Sequence, residues 1–128
     1  MPQVGPLKIK MQLFSGPERA LGPGRADLLE AIDREGSITG AGRALGMSYR
    51  YTWLLVDSMN RCFTQKLVEA AAGGRQRGAR LTDTGRTVLA AYRALEQDVL
   101  RVADGEAFAR LQELLRAQAA PVADKGDD

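Results

Sequence analysis

The stretch Ser37–Asn60, SITGAGRALGMSYRYTWLLVDSMN, decides the fold. It reads as two short helices joined by a tight turn. Ser37 is placed to cap the first helix, because its hydroxyl can accept a backbone N–H of the first turn. Ala41, Ala44 and Leu45 supply an apolar face, and Gly40 and Gly42 let a neighbouring helix approach closely. Gly46 ends the helix, since glycine takes the left-handed C-terminal conformation without strain. Met47 fills the corner and Ser48 caps the next helix, which starts at Tyr49. Thr52, Leu55, Val56 and Met59 then fall at i, i+3, i+4 and i+7, the spacing of a buried stripe. Tyr49, Arg50 and Trp53 fall on the other side. A small residue, a glycine and an apolar residue in this order are what a helix-turn-helix requires.

Working outward, Arg25–Glu35 reads as a preceding helix with Leu28, Leu29 and Ile32 as its core stripe and Gly36 as its cap. Leu7, Ile9, Met11 and Leu13 alternate with Lys8, Lys10 and Gln12, the pattern of a half-buried strand. Gly16-Pro17 and Gly22-Pro23-Gly24 read as loops. No Gly-Lys-Ser/Thr follows them, so they make a poor nucleotide loop. On the C-terminal side, Leu67–Ala70 and Ala79–Thr82 read as two short strands around Gly73-Gly74-Arg75-Gln76-Arg77-Gly78: a hairpin with a basic tip, or wing.

Thr82 is placed to cap a helix running from Asp83 to about Asp104. Val88, Tyr92, Leu95, Val99 and Val102 are spaced 4, 3, 4 and 3 along it, a heptad seam that predicts a dimer interface. Gly105 breaks it, and Phe108, Leu111, Leu114 and Leu115 give one more amphipathic segment. The expected division is therefore an N-terminal strand and loop (1–24), a winged helix-turn-helix (25–83), a helical dimerisation segment (84–118) and a disordered tail (119–128). The fold class is mainly α with a small β-hairpin.

Composition narrows the function. The chain has 128 residues, no histidine and one cysteine, Cys62. That leaves no Cys/His zinc site, no histidine-based catalytic pair and no internal disulfide. No nucleophile–base pair stands out, so an enzyme is not expected. No apolar run reaches the length of a membrane span and no signal-peptide core is present, so a soluble cytoplasmic protein is expected. The formal net charge is +2, but it is unevenly placed. Between Ser37 and Thr82 stand seven basic residues (Arg43, Arg50, Arg61, Lys66, Arg75, Arg77, Arg80) against Asp57 and Glu69, net +5, which leaves net −3 elsewhere. One face is thus suited to a polyanion.

In such an arrangement the start of the second helix meets base edges in the major groove, and arginines on a wing lie along phosphates or enter the minor groove. Ser48, Tyr49, Arg50 and Trp53 on the helix and Arg75, Arg77 and Arg80 on the wing are the candidate DNA-binding residues. For Trp53, packing against Tyr49 is the competing reading.

Gly36-Ser37-Ile38, the run Gly46-Met47-Ser48-Tyr49-Arg50 with Trp53, then Leu67-Val68-Glu69, Gly73-Gly74 and Leu81-Thr82 with Gly85 resemble the N-terminal DNA-binding domain of the ModE family. These are molybdate-responsive bacterial transcription regulators whose winged helix-turn-helix is similar to that of LysR-type regulators. The resemblance covers roughly Leu7–Gln97. It implies a homodimer on palindromic double-stranded DNA. Full-length members carry a C-terminal oxyanion-binding β-barrel region, and the thirty or so residues after Gln97 read helical. The resemblance is thus to a stand-alone form with no cofactor, and molybdate sensing does not transfer. The alternative function is a winged-helix interaction module that works with a separate sensor protein.

Overall fold

The computed structural model describes residues 3–4, 7–71 and 78–123. Its order is β1 (Gln3–Val4), β2 (Leu7–Lys8), β3 (Leu13–Ser15), β4 (Glu18–Leu21), α1 (Pro23–Glu35), α2 (Ile38–Ala44), α3 (Tyr49–Cys62), β5 (Val68–Ala70), β6 (Ala79–Leu81), α4 (Asp83–Leu100), a 3-10 turn (Arg101–Asp104) and α5 (Glu106–Leu114). The strands form three antiparallel hairpins, β1–β2, β3–β4 and β5–β6. This is a mainly α fold with a winged helix-turn-helix at its centre.

The chain divides into two compact units: Lys10–Leu95, and Met1–Ile9 with Glu96–Asp128. The larger unit holds the core. Leu28, Leu29 and Ile32 of α1, Ala41 of α2, and Leu55, Val56 and Met59 of α3 meet Leu67, Val68, Leu81 and Tyr92 there. Each fully buried leucine or isoleucine contributes about 1.5–3 kcal/mol. The three on α1 therefore outweigh any single surface contact, and α1 is the post against which α2, α3 and the hairpin are set.

Local chemistry follows the sequence closely around the motif. The Ser37 hydroxyl accepts Gly40 N–H at 2.9 Å, and the Ser48 hydroxyl accepts Tyr51 N–H at 3.1 Å. Gly46 has φ +71°, the left-handed turn between the two helices. Gly42 is where α3 comes closest: a methyl group there would run into the hydroxyl of Thr52, with Thr52 Cβ at 2.9 Å. Gly40 has a different role, since a methyl there would meet the capping Ser37 hydroxyl at 2.6 Å and no neighbouring helix. The expected apolar face of α2 is also shifted. Ile38, Ala41 and Gly42 are buried, while Ala44 and Leu45 face solvent.

The N-terminal part departs further from expectation. There is no continuous strand over Leu7–Leu13. Residues 9–12 belong to no strand, although Ile9 and Met11 are half-buried between exposed Lys8, Lys10 and Gln12. Met11 is instead held by its carbonyl, which accepts the Tyr92 hydroxyl at 2.7 Å. The paired strands lie later, around the Gly16-Pro17 turn. Gly22-Pro23-Gly24 is not a loop either. Pro23 opens α1, where its missing N–H and fixed φ carry no penalty.

In the smaller unit, α5 buries Phe108 and exposes Leu111 and Leu114, and Leu115 just beyond its end is exposed too. Residues 119–123 carry no helix or strand, and the rest of the expected tail, 124–128, lies outside the described residues. No helix among the described residues is long and apolar enough to cross a membrane.

Candidate nucleic-acid interface

The helix α3 is amphipathic, and its outward face can be read residue by residue. Thr52, Leu55, Val56, Ser58 and Met59 are buried. At 3.6 residues per turn the opposite direction is occupied by Arg50, Leu54, Asp57 and Arg61. Arg50 is exposed, and among the described residues no carboxylate pairs with it. It stands two positions after the capping Ser48, in the first turn of the helix. Tyr49 and Trp53, on one flank, pack on each other with ring centroids 6.0 Å apart, tilted by 52°. Both remain exposed, at 66% and 43%. Trp53 thus packs at a tilt against Tyr49 and also presents its ring to solvent. Tyr51 projects from the other flank, half exposed.

The far end of the same stripe is closed by charge. Arg61 is bound by Asp57 at 2.9 Å and by Glu18 at 2.8 Å. Glu18 also accepts the Ser58 hydroxyl at 2.7 Å. These contacts, Arg61 first and Ser58 second, hold the Glu18 carboxyl below the usual carboxylate range. They raise Arg61 above its own ordinary value. Two carboxylates enclose the one guanidinium, so the charge of Arg61 is paired within the chain. Arg61, counted in the basic face from sequence, is therefore spent on holding the β3–β4 hairpin to α3.

The hairpin β5–β6 stands on the Tyr49–Trp53 flank. Asn60 builds that placement: its Oδ1 accepts the N–H groups of Leu67 at 2.9 Å and Val68 at 3.1 Å, and its Nδ2 donates to the Val68 carbonyl at 3.1 Å. Ala79 N–H reaches the Gly36 carbonyl at 2.9 Å, pinning the return strand to the end of α1. Between α3 and the hairpin runs a groove of about 530 Å³ walled by Tyr49, Trp53, Val68 and Ala79. Arg80 faces Glu69 across the hairpin at 3.3 Å and is about half exposed. The tip with Arg75 and Arg77 lies outside the described residues.

Two side chains went unnoticed in the sequence. Asn60 follows a core methionine and gave no signal of its own. Arg25, in the first turn of α1, has its Nε buried without a hydrogen-bond partner. Burial first, and the nearby Arg19 second, push its guanidinium below the usual value, with Tyr51 close on the α3 side.

Of the expected dimer seam, Val88 is half-buried against the core and Tyr92 is 2% exposed within its own chain. Leu95 and Val102 are exposed, at 41% and 53%, and Val99 is half-buried.

A capped turn between two helices, an outward arginine at the start of the second and a hairpin at its side make a winged helix-turn-helix. The family profile for the bacterial regulatory helix-turn-helix protein, lysR family, matches residues 25–86. Residues 25–86 thus carry a LysR-type helix-turn-helix domain. Its relatives include the molybdenum transport protein ModE of Azotobacter vinelandii, 47% identical over 88 residues, which are 68% of this chain and 33% of that one. The molybdenum-pterin-binding protein MopA of Rhodobacter capsulatus is 44% identical over 92 residues, 71% of this chain and 35% of that one. The DNA-binding transcriptional dual regulator ModE of Escherichia coli (strain K12) is 35% identical over 92 residues, 71% of this chain and 33% of that one. The chain spans about a third of the length of these relatives. The LysR-type match runs from the first turn of α1 to the first turn of α4, and so includes α2, α3 and the β5–β6 hairpin but not the β3–β4 hairpin that Glu18 ties to α3.

Proposed function

We propose that this chain is a ModE-type DNA-binding regulator of transcription that acts as a homodimer. The recognition helix α3 enters the major groove by its N-terminal half, and the wing lies along the backbone or in the adjacent minor groove. The observation that carries the reading is Arg50: an exposed arginine without a carboxylate partner, fixed by a Ser48 cap on the outward face of the second helix of the motif. Arginine at that place can bond bidentately to guanine O6 and N7. Tyr49 and Trp53 flank it, and Arg75, Arg77 and Arg80 are the wing residues proposed to meet the phosphates. The relatives named for molybdenum transport and molybdenum-pterin binding support targets among molybdenum-linked genes.

The test is fluorescence anisotropy on duplexes from upstream of the chain's own gene and of molybdate-transport genes. A scrambled duplex serves as control, at two salt concentrations, with and without molybdate. Selective, salt-dependent binding is expected. Arg50→Ala should cost about 1–3 kcal/mol on the selected site and relax specificity there. Equal loss on the selected and scrambled duplexes would remove base reading from Arg50. Arg75→Ala and Arg77→Ala should each weaken binding evenly and reduce the log–log salt slope by about one. An unchanged slope would take the wing out of the interface.

A further inference from the structure

We infer that Leu54 is a specificity-determining residue that reads the C5-methyl group of a thymine in the major groove. The inference rests on the DNA-binding reading above and names what its site recognises. Leu54 is 54% exposed on a helix whose buried stripe is fully occupied. It lies four residues after Arg50, so the two side chains share one face of α3. The next residues on that face, Asp57 and Arg61, are bound to each other and to Glu18 in ion pairs. The first half of α3 is therefore the part whose outward face carries no ion pair among the described residues. Within that half, Arg50 and Leu54 are the two side chains pointing straight outward, with Tyr49, Tyr51 and Trp53 at their sides.

A leucine can neither donate nor accept a hydrogen bond. Among the groups displayed in the major groove, the thymine methyl is the one apolar partner for it. Spacing sets where that thymine lies. Four residues of α-helix rise about 6 Å. Base pairs are spaced about 3.4 Å apart, so Leu54 falls within two base steps of the guanine bonded by Arg50. The half-site therefore holds a guanine and, within two steps, a thymine whose methyl group is covered by Leu54.

The experiment starts with selection of sites from a random duplex pool by the full chain. In the enriched site each thymine near the guanine is then replaced in turn by deoxyuridine, which lacks only the methyl group. One buried methyl is worth about 0.8 kcal/mol, or about fourfold in affinity. The wild type should lose about fourfold at one thymine, and Leu54→Ala should bind the thymine and uracil duplexes equally. Arg50→Ala should keep the fourfold preference. A second pair of duplexes carries cytosine or 5-methylcytosine at that position, and the wild type should prefer the methylated base by a similar factor. Circular dichroism guards against misfolding, which is not expected because alanine favours helix and Leu54 is exposed. A wild type indifferent to the methyl group overturns the inference. So does a methyl preference of equal size in Leu54→Ala. Either result leaves the DNA-binding reading standing, whereas a pool in which nothing is enriched overturns both.

Discussion

Glu18 shows how one half-buried side chain ties two elements together. It reaches from the β3–β4 hairpin to Ser58 and Arg61 of α3, some forty residues away in sequence, and it is held ionised by both. Because its folded pKa lies below its unfolded value of about 4.3, the charged form favours the fold. Its contribution is fully present above the ordinary glutamate range and is lost as pH falls through the lowered folded value. Glu18→Gln should therefore be less stable than the wild type at neutral pH. The gap should close as the solution is made acidic, which urea midpoints across a pH series would follow. A gap that widened in acid would mean that Glu18 is strained by its neighbours. Nothing in the local sequence announces this contact, since the Gly16-Pro17 turn gives the hairpin but not what the hairpin touches. Arg50 is the opposite case. Its exposure followed from the spacing of Thr52, Leu55, Val56 and Met59, because a filled stripe leaves one direction free.

At the scale of elements, the relation between α3 and the β5–β6 hairpin decides whether helix and wing can meet one duplex together. Asn60 supplies three hydrogen bonds to that junction, taking the place of a third strand beside β5. Asn60→Ala leaves the Leu67 and Val68 N–H groups without their acceptor, at a cost of about 1–3 kcal/mol. Asn60→Asp keeps the acceptor and should cost less. Denaturant unfolding of both variants checks the order, and equal losses would show that the amide donor carries the junction. The elements most legible from sequence were those with local signals: the Ser37 and Ser48 caps, the Gly46 turn, the core stripes of α1 and α3, and the Thr82 cap of α4, where Gly85 N–H meets the Thr82 hydroxyl at 2.9 Å. Segments needing a distant partner were read less well. The alternation over Leu7–Leu13 suggested a strand, yet residues 9–12 find no strand to pair with. Turn residues at Gly22-Pro23-Gly24 hid a helix start, because proline suits both places.

For the whole molecule the open surface matters most. The heptad spacing along α4 predicted one continuous dimer seam, but periodicity marks a buried face without saying what buries it. Val88 and Tyr92 are taken by the chain's own core, and Arg93 beside them ties α4 to Asp27 at 2.7 Å and Glu30 at 2.8 Å on α1. Leu95 is left exposed in the larger unit, and Val102, Leu111, Leu114 and Leu115 are exposed in the smaller one. Exposed apolar side chains repeated along successive helices mark an interaction surface. A second copy is the partner that the proposed function needs, since a two-fold dimer matches two half-sites. The double variant Leu95→Glu with Val102→Glu should then sediment as a monomer, with the helix content of the wild type. Its DNA affinity should fall at least tenfold, because the second half-site no longer benefits from the first. Tyr92→Phe should do the reverse. It removes the 2.7 Å hydrogen bond to the Met11 carbonyl and lowers fold stability by about 1 kcal/mol, while the dimer persists. A double variant that stays dimeric would move the interface off α4, and a Tyr92→Phe variant that dissociates would restore the full heptad seam as the contact between copies.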